Sequence, residues 1–322
     1  MTAATANAAA VETMTALVFT APSTVELQQV PVPVAGPDEV IVEVAASGIC
    51  GSELHGIRHV GFRKPPLVMG HEFAGTTPDG RRVTVNPLIS CGACDACGRG
   101  ENHLCRSREI LGIHRPGAFA QRVAVPVSAI RELPESMDLT TAAMIEPLAN
   151  AVHAVRLADP RPGARIAVLG AGTIGLVTLL VAQQYGEVSV SDLAEERLAT
   201  ARALGASHTA TRLSGEFDVV IDAVGAAPTH AASIDLLRPG GTAVWIGLLS
   251  SEAGFDGQEI VRSEKRVIGS YCYRPSDFDR AVELAGSVQL DWTTSFSLDQ
   301  GVEVFEDLLG GRHDVIKAVL HP

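Results

Sequence analysis

Aromatic side chains are scarce, at 4% of the chain, which argues against an aromatic-rich β-sandwich. Positive charge is short as well: 25 Lys and Arg stand against 37 Asp and Glu, a formal net charge of −12. Without a basic face or basic run, neither nucleic acid nor an anionic membrane surface is an expected partner. Residues 1–13 contain no Lys or Arg. They lack the basic start and apolar core of a secretory signal, read as a loose, disordered tail, and point to a cytoplasmic protein. No long apolar run is uninterrupted. The most apolar stretch, 166–182, has the length of a membrane span, but Gly170, Gly172 and Gly175 break it at the spacing of a nucleotide-binding turn.

What is present fits a soluble globular chain: 322 residues, 46% apolar, 31 glycines. That length suits two domains or one large one. Residues 14–44 alternate in polarity around Pro31, Pro33 and Pro37 and read as short strands. Residues 45–147 are glycine- and loop-rich and hold most of the Cys and His residues. From about Arg165 the text changes. Apolar strands are expected at 166–169, 188–190, 217–221 and 243–246. Helices are expected at 173–185, 194–204 and 228–237, with Gly205 ending one of them and a turn at 239–241. Strands alternating with helices predict an α/β doubly wound parallel sheet with right-handed crossovers. Two more helices and a strand at 316–320 follow Pro275.

The turn Gly170-Ala-Gly172-Thr-Ile174-Gly175 follows a strand and opens a helix. The first glycine permits the tight turn, the second lets the backbone approach a pyrophosphate, and the third lets helix and sheet pack closely. The helix N-terminus then offers unpaired N–H groups to the phosphates. Asp192, 20 residues after Gly172, is placed to accept hydrogen bonds from the ribose hydroxyls and to repel a 2′-phosphate, which selects NAD over NADP. Arg197 flanks the adenine side or is a solvated helix charge.

Six cysteines occur: Cys50, Cys91, Cys94, Cys97, Cys105 and Cys272. Four of them fall as Cys91-x2-Cys94-x2-Cys97-x7-Cys105, a set suited to a closed, structural tetrahedral Zn²⁺. An iron–sulfur cluster of the bacterial type calls for a last gap of x3 followed by Pro; here it is x7 followed by Arg106.

Cys50 and the pair His71-Glu72 are ligands of the types zinc takes. Singly, His71 reads equally as a satisfied core histidine and Cys50 as a buried small residue. Together they make a three-ligand set with a position left for substrate. Bound zinc lowers the pKa of an alcohol oxygen, and the alkoxide expels hydride to nicotinamide. Ser52 and His55, close to Cys50 in sequence, are placed to relay the proton outward.

These motifs resemble the zinc-dependent medium-chain dehydrogenase family, in its polyol (sorbitol) and threonine dehydrogenase branch, over almost the whole chain. The resemblance is carried by Cys50-Gly-Ser52-Glu53-Leu-His55, Gly70-His71-Glu72-Phe-Ala-Gly75, the four cysteines, Glu146-Pro147-Leu, the glycine turn with Asp192, and Ile246-Gly-Leu248. It implies a GroES-like β-barrel catalytic domain at 14–147 with both zincs, a Rossmann NAD-binding domain at 148–274, and a segment at 275–322 returning to the first domain. It implies Cys50, His71 and Glu72 around the catalytic zinc and Glu146 near zinc or its water. Ser52 falls to the substrate hydroxyl and His55 to proton relay. Ile174, Asp192, Arg197 and the backbone near Gly247 and Leu248 fall to NAD. Homodimers or homotetramers are usual in such families.

Two departures bear on substrate. The stretch 75–80 after the His-Glu motif is abrupt, which reshapes a rim. Glu146-Pro147 stands where the alcohol dehydrogenase branch has a second cysteine, which favours polyhydroxy substrates by analogy. The loop 59–64 carries Arg63 and Lys64; it reads as a solvated charged loop, with an anion-binding pair as the other reading. Tyr271, Tyr273 and Arg274 lie where relatives place residues between nicotinamide and substrate, or are ordinary packing, and Cys272 reads as a buried small residue. The leading expectation is oxidation of a secondary alcohol on a polyol, cyclitol or amino-alcohol with NAD. The alternatives are an NADPH-linked carbonyl or enone reductase, and a non-catalytic NAD- and zinc-binding protein.

Overall fold

A computed structural model describes residues 11–58, 61, 63–311 and 314–322. The first part of the chain is strand and loop: β1 (Thr13–Ala21), β2 (Thr24–Pro31), β3 (Glu39–Gly48), β4 (Leu67–Val68), β5 (Glu72–Thr76), β6 (Arg82–Val85), β7 (Leu88–Ile89), β8 (Glu109–Ile110), β9 (Arg122–Pro126) and β10 (Ile130–Glu132). Three short helices interrupt it, α1 (Gly51–Gly56), α2 (Asp95–Gly98) and α3 (Leu139–Ala143). Side chains of a strand alternate between faces. Val42 and Val44 of β3 therefore meet Val83 and Val85 of β6 and Val123 and Val125 of β9 in one buried cluster.

β1 begins at Thr13, inside the stretch expected to be a tail, and Glu12 pairs with Arg122 at 2.8 Å. Residues 1–10 of that stretch lie outside the described residues. The abrupt 75–80 segment is a hairpin from β5 to β6, closed by Thr77 N–H donating to Arg81 O at 2.9 Å.

Next comes α4 (Ile145–Ala158), a helix the sequence reading did not foresee. Most of its surface is buried, so it carries no apolar stripe to betray it. It crosses the expected 147/148 junction.

Then follow β11 (Ala164–Leu169), α5 (Thr173–Ala182), β12 (Gly186–Ser191), α6 (Glu195–Ala203), β13 (His208–Ala210), β14 (Phe217–Asp222), α7 (Ala227–Asp235), β15 (Leu237–Trp245), α8 (Gly257–Arg262) and β16 (Arg266–Gly269). Their strands form a six-stranded parallel sheet in the order β13-β12-β11-β14-β15-β16, the doubly wound arrangement expected. From Ile166 to Leu169 β11 is apolar and buried, because a central parallel strand is covered on both faces. Helix α5 stops at Ala182, three residues before the expected end, and the expected turn at 239–241 lies inside β15 with Gly240 left-handed at φ 74°. The run 166–182 is thus a strand and a helix, and among the described residues no helix is long and apolar enough to cross a membrane.

The chain then forms α9 (Pro275–Ala285), β17 (Thr294–Ser297), α10 (Gly301–Leu309) and β18 (Ala318–His321). β18 returns to the first part, antiparallel to β3 with Val319 opposite Gly48, and completes the sheet order β10-β6-β5-β3-β18-β17. Helix α4 packs against both α5 and α9, so it lies between the two halves.

Candidate active site

The antiparallel register of β3 and β5 sets Gly48 opposite Glu72. That register carries Cys50, two residues past Gly48, to the side of His71 and Glu72. One ligand atom from each lies within 4.8 Å of the others. A larger residue at Gly48 would push Glu72 and Lys317 out of place: a Cβ there would lie 2.6 Å from Glu72 Oε2 and 2.7 Å from Lys317 Cε.

Glu53, fully buried on α1, holds this cluster in place. Its Oε2 accepts from Cys50 N–H at 2.9 Å; its Oε1 accepts from Gly70 N–H at 3.0 Å and pairs with His71 Nδ1 at 2.9 Å. Occupying Nδ1 turns Nε2 of His71 toward the other ligands, as a carboxylate does for a metal-bound histidine. Burial disfavours charge on both residues. Their mutual attraction outweighs it, lowering Glu53 and raising His71 well above its ordinary value. The sequence alone assigns Glu53 no role.

Lys317, just before β18, is buried; its ammonium donates to Ile49 O at 2.9 Å and pairs with Glu72. Burial opposes its charge, but Glu72 and Cys50 raise its pKa. The sequence offered no signal for it, because its partners lie some 250 residues away.

Glu146 stands in the first turn of α4, with Asn150 Nδ2 donating to its Oε1 at 3.2 Å. Burial pushes it up to about 7; His71 opposes this and the Glu72 charge adds to it. The Tyr273 phenol beside it is fully buried, and its hydroxyl has no hydrogen-bond partner among the described residues. Burial and the Glu146 charge raise its pKa. Tyr271 is partly exposed instead, under the Arg108 guanidinium at 4.8 Å.

Ser52 is half-buried and His55 exposed, so the two step outward from Cys50. Partial burial and Arg58 keep the imidazole of His55 below its ordinary pKa. The solvated-loop reading of 59–64 needs correction. Lys64 is exposed, but Arg63 has 0% exposure. His59, Val60 and Phe62 lie outside the described residues. Arg274 reaches Glu101 at 3.5 Å, and Cys272 is largely buried, its thiol pushed up to about 12 by burial and Glu146.

The four cysteines converge separately. Cys91 and Cys97 sulfurs lie 4.0 Å apart, Cys94 and Cys97 3.6 Å, Cys105 and Cys91 3.5 Å, and none is in a disulfide. A tetrahedron with Zn–S near 2.3 Å has edges of about 3.8 Å, close to these distances, and all four sulfurs lie within 4.8 Å of one another. The Cys97 amide pulls Cys94 down to about 6, whereas burial and Cys94 push Cys97 up to about 11. The Cys50, His71 and Glu72 set passes the same test of donor type and spacing, with Glu53 already orienting the histidine.

The lobe around the four cysteines is tied to the helices behind it. His103 packs edge-on against His153 at 4.7 Å. Asp277, at the start of α9, pairs with His153 at 2.6 Å and accepts from Arg156 at 2.8 Å.

The glycine turn sits at the end of β11, where the strand order reverses. Gly170 has φ 95°, and a Cβ on Gly175 would lie 1.8 Å from Gly170 O. Asp192 follows β12; its carboxylate accepts from Ala171 N–H at 2.7 Å and Ala194 N–H at 2.9 Å. Arg197 lies 3.9 Å from Asp192 and 4.0 Å from a Cβ built on Gly172, and its buried Nε has no partner among the described residues. Ile174 is half-buried in the first turn of α5. Gly247 packs directly on the Val224 backbone, and Leu248 is 79% exposed.

Comparison with known proteins agrees with this geometry. Residues 36–135 match the alcohol dehydrogenase GroES-like domain family, and residues 173–287 match the zinc-binding dehydrogenase family. The chain is 30% identical to L-galactonate-5-dehydrogenase of Escherichia coli, over 96% of this chain and 99% of that protein. It is 33% identical to a probable D-xylulose reductase A of Emericella nidulans, over 90% of each. A putative zinc-binding dehydrogenase of Sinorhizobium meliloti bound to NADP superposes with a TM-score of 0.91 at 31% identity, covering 97% of this chain and 100% of that one. Galactitol-1-phosphate dehydrogenase of Escherichia coli gives 0.89 at 26% identity, covering 96% and 100%. The chain belongs to the zinc-dependent medium-chain dehydrogenases, in their polyol and threonine dehydrogenase branch, and is an enzyme of that class.

Proposed function

We propose that this enzyme oxidises a secondary alcohol of a polyol, cyclitol or amino-alcohol, reversibly, with NAD as hydride acceptor. The observation that carries the reading is the approach of Cys50, His71 and Glu72 ligand atoms to within 4.8 Å, with Glu53 fixing His71. Zinc held by these three residues supplies Lewis-acid polarisation of the substrate oxygen. The rest falls to the chain's own groups. Ser52 takes the hydroxyl proton and His55, exposed and with a lowered pKa, passes it to water. Glu146, held near 7, shares protons at the inner end of the cleft. The glycine turn and the first turn of α5 bind the pyrophosphate.

The choice of NAD over NADP is supported by Asp192, a carboxylate following β12 that would repel a 2′-phosphate. The substrate class rests on relatives named for galactonate, xylulose and threonine. We assign catalysis to 14–147 with 275–322, cofactor binding to 148–274, the second zinc to Cys91, Cys94, Cys97 and Cys105, and the whole to a cytoplasmic homodimer or homotetramer.

The test is reduction of NAD⁺ and NADP⁺ by purified enzyme across sugar alcohols, cyclitols, amino-alcohols, sugar phosphates and simple alcohols, with and without a zinc chelator. Chelator-sensitive turnover of one group with NAD⁺ is expected. Cys50→Ala should abolish turnover while leaving NAD⁺ binding intact in a fluorescence titration; retained turnover rejects the zinc role.

A further inference from the structure

A strongly basic side chain beside the site that the proposed chemistry leaves unused is Arg63. A fully buried arginine has to spend its donors on protein acceptors. Here Nη1 donates to Ser52 O at 2.6 Å, Nη2 to Ser52 Oγ at 3.3 Å and Nε to Gly112 O at 3.4 Å. Gly112 in turn packs directly on the backbone of Gly70, the residue before His71. The guanidinium thus ties the segment that carries Cys50 to Gly112, which packs on the backbone just before His71, and it grips Ser52 by both its backbone and its side chain.

A serine hydroxyl has one donor hydrogen and two acceptor lone pairs, whereas a guanidinium only donates. From this geometry we infer that Arg63 is a positioning residue for Ser52: it occupies one lone pair of the hydroxyl and fixes the first turn of α1, leaving the other lone pair and the hydrogen for the reacting hydroxyl and the onward proton acceptor. The relay then has one polarity and one position before substrate arrives. A lysine cannot replace the fork, since one ammonium cannot reach three acceptors in a plane.

This inference rests on the proposed alcohol oxidation, and the test separates the two. Arg63→Lys, Ser52→Ala and the double variant are compared in steady-state kinetics on the best substrate of the panel. Amide hydrogen exchange is followed in the same proteins. Ser52→Ala is expected to lose about 100-fold or more in kcat and Arg63→Lys a smaller part of that, each with KM for NAD⁺ unchanged. The double variant should fall no more than about twofold below Ser52→Ala, because residues acting as one unit are not additive. Exchange across residues 51–57 should rise in Arg63→Lys, while residues 72–76 stay protected.

Losses that multiply in the double variant, and that appear as KM for acidic substrates only, would overturn the inference in favour of direct substrate binding by Arg63. A lowered melting temperature with kcat unchanged would reduce Arg63 to a structural strut. If wild-type enzyme turns over no alcohol, the functional reading fails. Exchange at 51–57 then decides alone whether Arg63 holds the turn.

Discussion

Glu53 gathers three N–H groups onto one carboxylate, two of them from metal-site residues, Cys50 and His71. Replacing it with glutamine keeps the volume and removes the charge. Glu53→Gln is expected to lose 10–100-fold in zinc affinity or activity, checked by metal content after dialysis against graded chelator. Asp192 is a second single-residue test. Asn can accept at only one of the two carboxylate positions that now meet Ala171 and Ala194. Asp192→Asn should weaken NAD⁺ binding about tenfold, near 1.4 kcal/mol, and narrow its advantage over NADP⁺ in kcat/KM. The glycine turn, Asp192 and the four cysteines were legible because their partners lie within about twenty residues and the chemistry fixes the spacing. Lys317 and the burial of Arg63 were not: each depends on contacts that exist only once distant segments meet, and a charged letter reads as solvated until its surroundings are known.

Among elements, α4 has the widest reach. Its first turn carries Glu146 to the catalytic cluster, and its later turns hold His153 and Arg156 against Asp277. Burial opposes the charge on Asp277, but His153 and Arg156 outweigh it and hold the carboxyl well below the usual carboxylate range. A lowered pKa in the folded state stabilises above the unfolded value, near 4, and that stability is lost as pH falls below it. Asp277→Asn should therefore lower the melting temperature by several degrees at pH 7, and the gap to wild type should narrow by pH 3 and close only well below it. Equal gaps at both pH values would reject the linkage. α4 escaped sequence reading because burial on nearly every side erases helical periodicity. β13 and β16 escaped because they are short edge strands, whereas the long central strands stood out as apolar runs.

At the scale of the molecule, the alternation of strands and helices after Arg165 was enough to foresee the doubly wound sheet. The return of β18 to the first sheet came from family resemblance alone, since nothing local in residues 316–320 names β3 as their neighbour. The proposed NAD turn lies in that parallel sheet, while both proposed zinc sets lie in the part built around β3. Ligands at the two sites should therefore raise stability separately. NAD⁺ at a hundredfold excess over its Kd should add about 2.7 kcal/mol in zinc-loaded and in chelated protein alike, read as equal shifts in thermal unfolding. A shift confined to the zinc-loaded form would mean the sites are energetically linked.

The ion pair of Lys317 with Glu72, and its hydrogen bond to Ile49 across 268 positions, also sets an order of events during synthesis. At about 5–20 residues per second, a ribosome takes tens of seconds to cover that interval. The four-cysteine loop closes over only 14 positions and can capture its ion almost as soon as it emerges. The catalytic ligands wait, with Glu72 lacking its counter-charge, until the nucleotide-binding sheet has been made and β18 docks. On the proposed ligand sets, the four cysteines come together early in synthesis, whereas the Cys50, His71 and Glu72 set gains the charge of Lys317 only when the chain is nearly finished.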